Sequence, residues 1–192
     1  NGNVRKELLV TNSNIGEVEN IVICGVDIDE VYGGSSFRGD RWKAYDGSQN
    51  TATPIIAGFK LPDTEVVEGL TFRLPNGQHT GYIKNVQFHD VNLLVKGGHP
   101  VEDTEAYPPE IGVGRYNVGD LKIQPSFGFW ARHVKDFLLD NCSISAEQKD
   151  GRYAVVLDDV IGAEIRNLKV KEGITDKENV KALRSKDIDI QK

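Results

Sequence analysis

The chain contains no methionine and begins at Asn1, so the expectation is a processed protein, an excised domain or a fragment. No apolar run approaches the roughly 20 residues of a membrane-spanning helix. Cysteine is scarce. Cys24 and Cys142 are the only two; they are expected to be free thiols and do not identify a redox compartment. Basic residues are outnumbered, 23 to 29, which gives a net charge of −6 and a pI near 5.3. That balance argues against a nucleic-acid backbone as the main partner. The four histidines show no metal-ligand spacing. Neither a glycine-rich phosphate loop nor a nucleophile elbow occurs. No metal and no cofactor are therefore expected. Helical periodicity is nearly missing, apart from a short turn near Asp176 to Ala182.

What is present is a repeat. With Φ for an apolar residue, Φ-x-[N/D/G]-Φ-x-Φ-x-[N/D/G]-Φ-x-Φ occurs at Val18–Ile28, Ile83–Leu93, Val134–Ile144 and Val160–Val170. A weaker fifth copy runs from Val180 to Ile190, with Ser185 at an apolar position. Apolar residues alternate within each copy, which places them on one face of a strand. The Asn, Asp or Gly before each apolar pair tolerates left-handed backbone angles and marks a bend. Copies three, four and five start 26 and 20 residues apart, the length of one solenoid turn each. Phe127–Ala131 and Tyr153–Leu157 add another alternating strand before two of the copies, and Thr53–Phe59 resembles them. Three short strands per turn predict an all-β, right-handed parallel β-helix with two long loop insertions. The 192 residues suffice for one domain, residues 1–192, with a sizeable core. An antiparallel β-sandwich is the competing architecture. The chain starts and ends in coils without an obvious polar cap, so end-to-end or edge association is a further expectation. Cys24 and Cys142 take different repeat positions and should point to opposite faces, Cys142 into the packing.

The insertions carry the candidate binding residues. Residues 29–52 hold Arg38, Arg41, Trp42, Lys43 and Tyr45; basic groups beside aromatic rings suit an anionic sugar, or the rings cover the side of the helix. Residues 97–125 hold Tyr107, Arg115 and Tyr116, which line a cleft or pack down. Glycoside hydrolysis needs two carboxylates at one bond. Asp158 and Asp159 are the obvious pair, but neighbours on a strand point to opposite faces. Asp159 stands where the coil bends, so a turn role is favoured over a catalytic one. Glu102, Asp103, Glu105 and Glu110 match no calcium loop. His99 and His133 are candidate acid–base groups, and a surface position suits His133 equally.

The run Phe127-Gly-Phe-Trp-Ala-Arg-His-Val-Lys-Asp-Phe137, then Asn141–Ser145 and Asp150–Val160, resembles the C-terminal coils of bacterial polygalacturonase-like proteins. These are the pectin-degrading family 28 glycoside hydrolases. Val18–Ile23, Thr53–Ile56 and Tyr82–Val86 fit the coils that follow that family's active site. The resemblance implies a β-helix serving as scaffold and substrate-groove wall. It also implies an acidic, pectin-like polysaccharide as partner and an extracellular or periplasmic location. The family's Asn-Thr-Asp, Gly-His-Gly and Arg-Ile-Lys motifs are missing, and Asp158-Asp159 falls in later coils than the family's acids. This chain alone is therefore expected to be inactive. The alternative is a non-catalytic polysaccharide-binding or surface structural β-helix. A third reading is a small complete enzyme using Asp158, Asp159 and His133.

Overall fold

A computed structural model describes residues 17–31, 55–57, 66–67, 70–71, 81–108, 123–171 and 179–191. Strand dominates them. In chain order the strands are β1 (Glu19–Val31), β2 (Ile55–Ala57), β3 (Val66–Val67), β4 (Leu70–Thr71), β5 (Ile83–Gly97) and β6 (Ser126–Asp140). Then follow β7 (Ser143–Gln148), β8 (Tyr153–Arg166), β9 (Lys169–Lys171), β10 (Val180–Leu183) and β11 (Lys186–Gln191). A 3₁₀ turn at Val101–Glu105 is the one helical element among the described residues.

Nine of the strands form one sheet, in the order β10-β8-β6-β5-β7-β9, with β1 on β5, β2 on β6 and β11 on β8. Every pairing in it is parallel. β3 and β4 form a separate antiparallel pair. Parallel pairing throughout the large sheet is not that of an antiparallel sandwich.

The sheet curls because its bends are stacked. Asn20, Asn85, Asp136, Gly162 and Asp187 all have positive φ, and the pairing register aligns them in one column. Gly25, Asp90, Asn141 and Asn167 form a second such column, and His133, Asp159 and Arg184 a third. Short polar residues and glycine enter the left-handed region at least cost, which explains the composition of the first two columns. Their side chains also bond along the column. Asn85 Nδ2 donates to Asn20 Oδ1 at 2.8 Å, across a sequence separation of 65. Asn141 Nδ2 donates to Asp90 Oδ1 across a separation of 51.

The strands are longer than the sequence pattern predicts. β5, β6 and β8 each run through a bend that the pattern treats as a break. A single left-handed residue, matched by left-handed neighbours on both sides, turns the strand without interrupting its ladder. The core lies on the inner face of the curl. Val86, Phe137 and Ala163 stack there, as do Phe88, Leu139 and Ile165. Phe88 packs against Phe129 at 5.0 Å and Phe137 at 6.1 Å between ring centroids. Cys142 is buried and Cys24 exposed, and both are free thiols, as their repeat positions require.

Two expectations need correction. Residues 180–182, expected in a helical turn, belong to β10; residues 176–178 lie outside the described set. The fifth repeat is also out of register. Ile188 pairs with Ala163 and Ile190 with Ile165, so the copy starts at Ser185 and not at Val180. Ser185 replaces the apolar residue at the head of the repeat. Its hydroxyl accepts the Val160 amide at 2.9 Å and sits within hydrogen-bond distance of the Leu157 and Leu183 carbonyls. The polar substitution is thus satisfied by backbone groups. Lys186-Asp187-Ile188 aligned on Lys135-Asp136-Phe137 is the signal that identifies this register.

Candidate functional site

The third column of bends differs from the others in chemistry. His133 and Arg184 hold left-handed positions that asparagine or glycine would occupy at lower cost. Around them the fold gathers Tyr82, Tyr107, Trp130, Arg132, Asp158 and Asp159.

On β6 the residues Phe129 and Ala131 point into the main core, while Trp130 and Arg132 point the other way. On β8, Val155 and Leu157 point inward, and Val156 and Asp158 outward. Parallel pairing sets Arg132 beside Asp158. Arg132 Nε donates to Asp158 Oδ2 at 2.7 Å, and both side chains are 2% exposed. Its guanidinium lies between two rings, 4.8 Å from the centroids of both Trp130 and Tyr107. Its Nη1 donates to the Pro108 carbonyl at 2.8 Å, which ties the 99–108 segment to the sheet.

Asp158 uses its second oxygen on Arg184, from the third column. Arg184 Nε and Nη2 reach Oδ1 at 3.0 and 2.6 Å. The Arg184 side chain is 54% exposed, and its guanidinium lies 5.5 Å from the Tyr107 centroid. The Asp158 carboxylate raises the Arg184 pKa above its ordinary value. Tyr107 itself is 57% exposed. An open ring and a half-open, permanently charged guanidinium therefore stand side by side on a buried, ion-paired base.

Asp159 points elsewhere. His133 Nδ1 lies 2.7 Å from Asp159 Oδ2, and Tyr82 Oη donates to Oδ1 at 3.0 Å. Tyr82 meets His133 edge-on, 6.4 Å between centroids. His133 is buried, not superficial. The two adjacent aspartates thus serve different partners: Asp158 points outward from β8, and Asp159 sits at the left-handed bend that follows it, which breaks the alternation. The third column brings His133 and Asp159 together and gives Asp158 to the arginines.

His99 lies apart from this site. Its backbone N–H donates to Asp150 Oδ2 at 3.3 Å, and its Nδ1 lies 2.6 Å from Asp103 Oδ2. Asp150 also pairs with Arg152 through Nε at 2.9 Å and Nη2 at 3.0 Å. Burial, and then the Arg152 charge, lower the His99 pKa. Asp103 is thus committed to His99, while Glu102 and Glu105 are exposed. Among the described residues no group of three or more His, Cys, Asp or Glu is placed to hold a metal ion. No described helix is long and apolar enough to cross a membrane.

Of the residues expected to bind substrate, Tyr107 belongs to this site. Arg38, Arg41, Trp42, Tyr45 and Arg115 lie outside the described residues, as do Lys43, Glu110 and Tyr116. Sequence reasoning passed over Tyr82, Trp130, Arg132 and Arg184. The corrected fifth register would have found Arg184, because it aligns Arg184 under Asp159 and His133. No family model, characterised protein or solved structure matches the chain.

Proposed function

We propose that this chain is a right-handed parallel β-helix that binds an acidic, pectin-like polysaccharide through Tyr107 and Arg184. In this reading it forms scaffold and groove wall of a polygalacturonase-like protein acting outside the cell or in the periplasm. The three columns of left-handed bends, with aligned residues 25 or 26 positions apart in the later coils, support the helix. One observation carries the ligand: the exposed Tyr107 ring beside the half-exposed Arg184 guanidinium. A ring stacks on a pyranose face, and a guanidinium pairs with a carboxylate.

A second reading, a non-catalytic polysaccharide-binding or surface structural protein, is favoured by the state of Asp158. Both its oxygens are engaged by guanidinium groups, so it does not face a scissile bond with Asp159. Both readings predict binding without turnover by this chain. The test is incubation with polygalacturonate and rhamnogalacturonan, measuring new reducing ends and, separately, binding. We expect no release, and binding weakened at least tenfold by Tyr107→Ala with Arg184→Ala. Release abolished by Asp159→Asn would instead identify a complete active site. Binding unchanged in the double variant would remove these two residues from the ligand surface.

A further inference from the structure

The outer face of β7 and β9 carries a second polar surface, remote in the fold from the third column. Past the second column of bends, the outward positions align Asp27, Asn92, Ser143 and Lys169. The first three are joined in one direction. Asn92 Nδ2 donates to Asp27 Oδ1 at 2.7 Å, and Ser143 Oγ donates to Asn92 Oδ1 at 2.5 Å. The face therefore changes from acidic at β1, through neutral amide and hydroxyl groups, to basic at β9. The next outward column ends Ser145, Lys171. Beside these residues a groove of about 380 Å³ opens, lined by Asp90, Asn92, Asn141, Ser143, Lys169 and Lys171 among others.

The charges at this groove are unbalanced. Asp90 already accepts from Asn141. Neither Lys169 nor Lys171 has an ion-pair partner among the described residues, although the chain carries an excess of acids. Two positions apart on one strand, their stems emerge on the same face about 7 Å apart. A pair of aligned ammonium groups beside side-chain amides suits successive acid groups on an extended polymer better than a neutral one.

We propose that this groove is a second anionic-oligosaccharide site, with Lys169 and Lys171 contacting successive carboxylates and Asn92, Asn141 and Ser143 contacting hydroxyls. The proposal rests on the polysaccharide reading given above for its ligand class, but on different residues and a different face. It makes the chain bivalent, so a long polymer gains avidity that a short oligomer does not.

The experiment is calorimetric titration with a short oligogalacturonate, and with the corresponding reduced, neutral oligomer as control, at two salt concentrations. Parent, Lys169→Ala/Lys171→Ala and Tyr107→Ala/Arg184→Ala chains are compared, each checked by circular dichroism. The expected result is a second equivalent of acidic ligand on the parent chain. The lysine variant should lose that equivalent and keep the other. Its remaining site should show a flatter salt dependence in total binding. Loss of all binding in the Tyr107/Arg184 variant, with the lysine variant unchanged, would overturn the groove and leave the first site standing. Binding lost only in the lysine variant would support the groove and remove the first site. Absence of binding by the parent chain, or equal binding of the neutral oligomer, would overturn both.

Discussion

Asp158 shows how much of this surface depends on one side chain. It is 1% exposed and holds two guanidinium groups, one of them buried between Trp130 and Tyr107. Its removal takes from the buried Arg132 the carboxylate that its Nε bonds. Asp158→Ala should lower the unfolding free energy by about 3–5 kcal/mol, measured by urea denaturation. A loss below about 1 kcal/mol would show that the other partners of Arg132, the Pro108 carbonyl among them, carry its charge without Asp158. His99 makes a pH-dependent contribution. Its folded pKa lies below 6.5, so the folded state binds fewer protons than the unfolded chain. The stability it supplies is complete above pH 6.5 and falls as pH drops through 6.5 toward the folded value. The urea midpoint should therefore fall on acidification across that range, and His99→Gln should flatten the fall. Sequence reasoning reached His99, His133, Asp158 and Asp159 as chemistry-bearing positions. It did not reach the arginines that hold Asp158, because Arg132 and Asp158 are 26 residues apart and only the pairing of β6 with β8 makes them neighbours.

Among the elements, β6 and β8 make the longest pairing of the sheet, and their junction is tight. The register shifts between Ser126 and Phe129, and Gly128 lies in that shift. A Cβ on Gly128 would stand 2.3 Å from the Ala154 carbonyl oxygen and 2.8 Å from Ile144 Cδ1. The nearer obstacle is backbone and cannot rotate away. Gly128→Ala should cost about 1–3 kcal/mol in denaturation, the usual range for overpacking. An unchanged midpoint would mean that β8 shifts freely. The strands themselves were legible: period-two alternation at Ile83–Leu93 and Val134–Ile144 became the alternating burial of β5, of the end of β6 and of the start of β7. Their lengths were not. An Asn or Asp in a strand reads as a stop, yet beside left-handed neighbours in the same column it is only a corner. The fifth copy was misaligned because one apolar position had become Ser185, whose burial is compensated by backbone partners that the sequence cannot display.

At the scale of the molecule, the interior columns are closed in the middle and more open at the margins. Val86, Leu139 and Ile165 are buried, whereas Ile21 and Ile188 are half-buried and Ile190 is exposed. Opening should therefore begin at β1 and β11 and reach the centre last. Cys24 and Cys142 report this without added probes. Cys24 is exposed and should react with a thiol reagent at once. Cys142 is buried, with its thiol pKa raised by that burial, and should label only at the rate of global opening. Fast labelling of both would mean that the second column opens independently of the core. The sequence by itself determined the all-β class and the bends of the first two columns in the first four copies. Those properties follow from local periodicity and from which residues tolerate left-handed angles. Only the tertiary structure decided that Asp158 and Asp159 serve different partners, that Arg184 completes the third column, and that Lys169 and Lys171 border a groove. Each of those depends on register between strands distant in the chain, and register is fixed by packing of the whole curl.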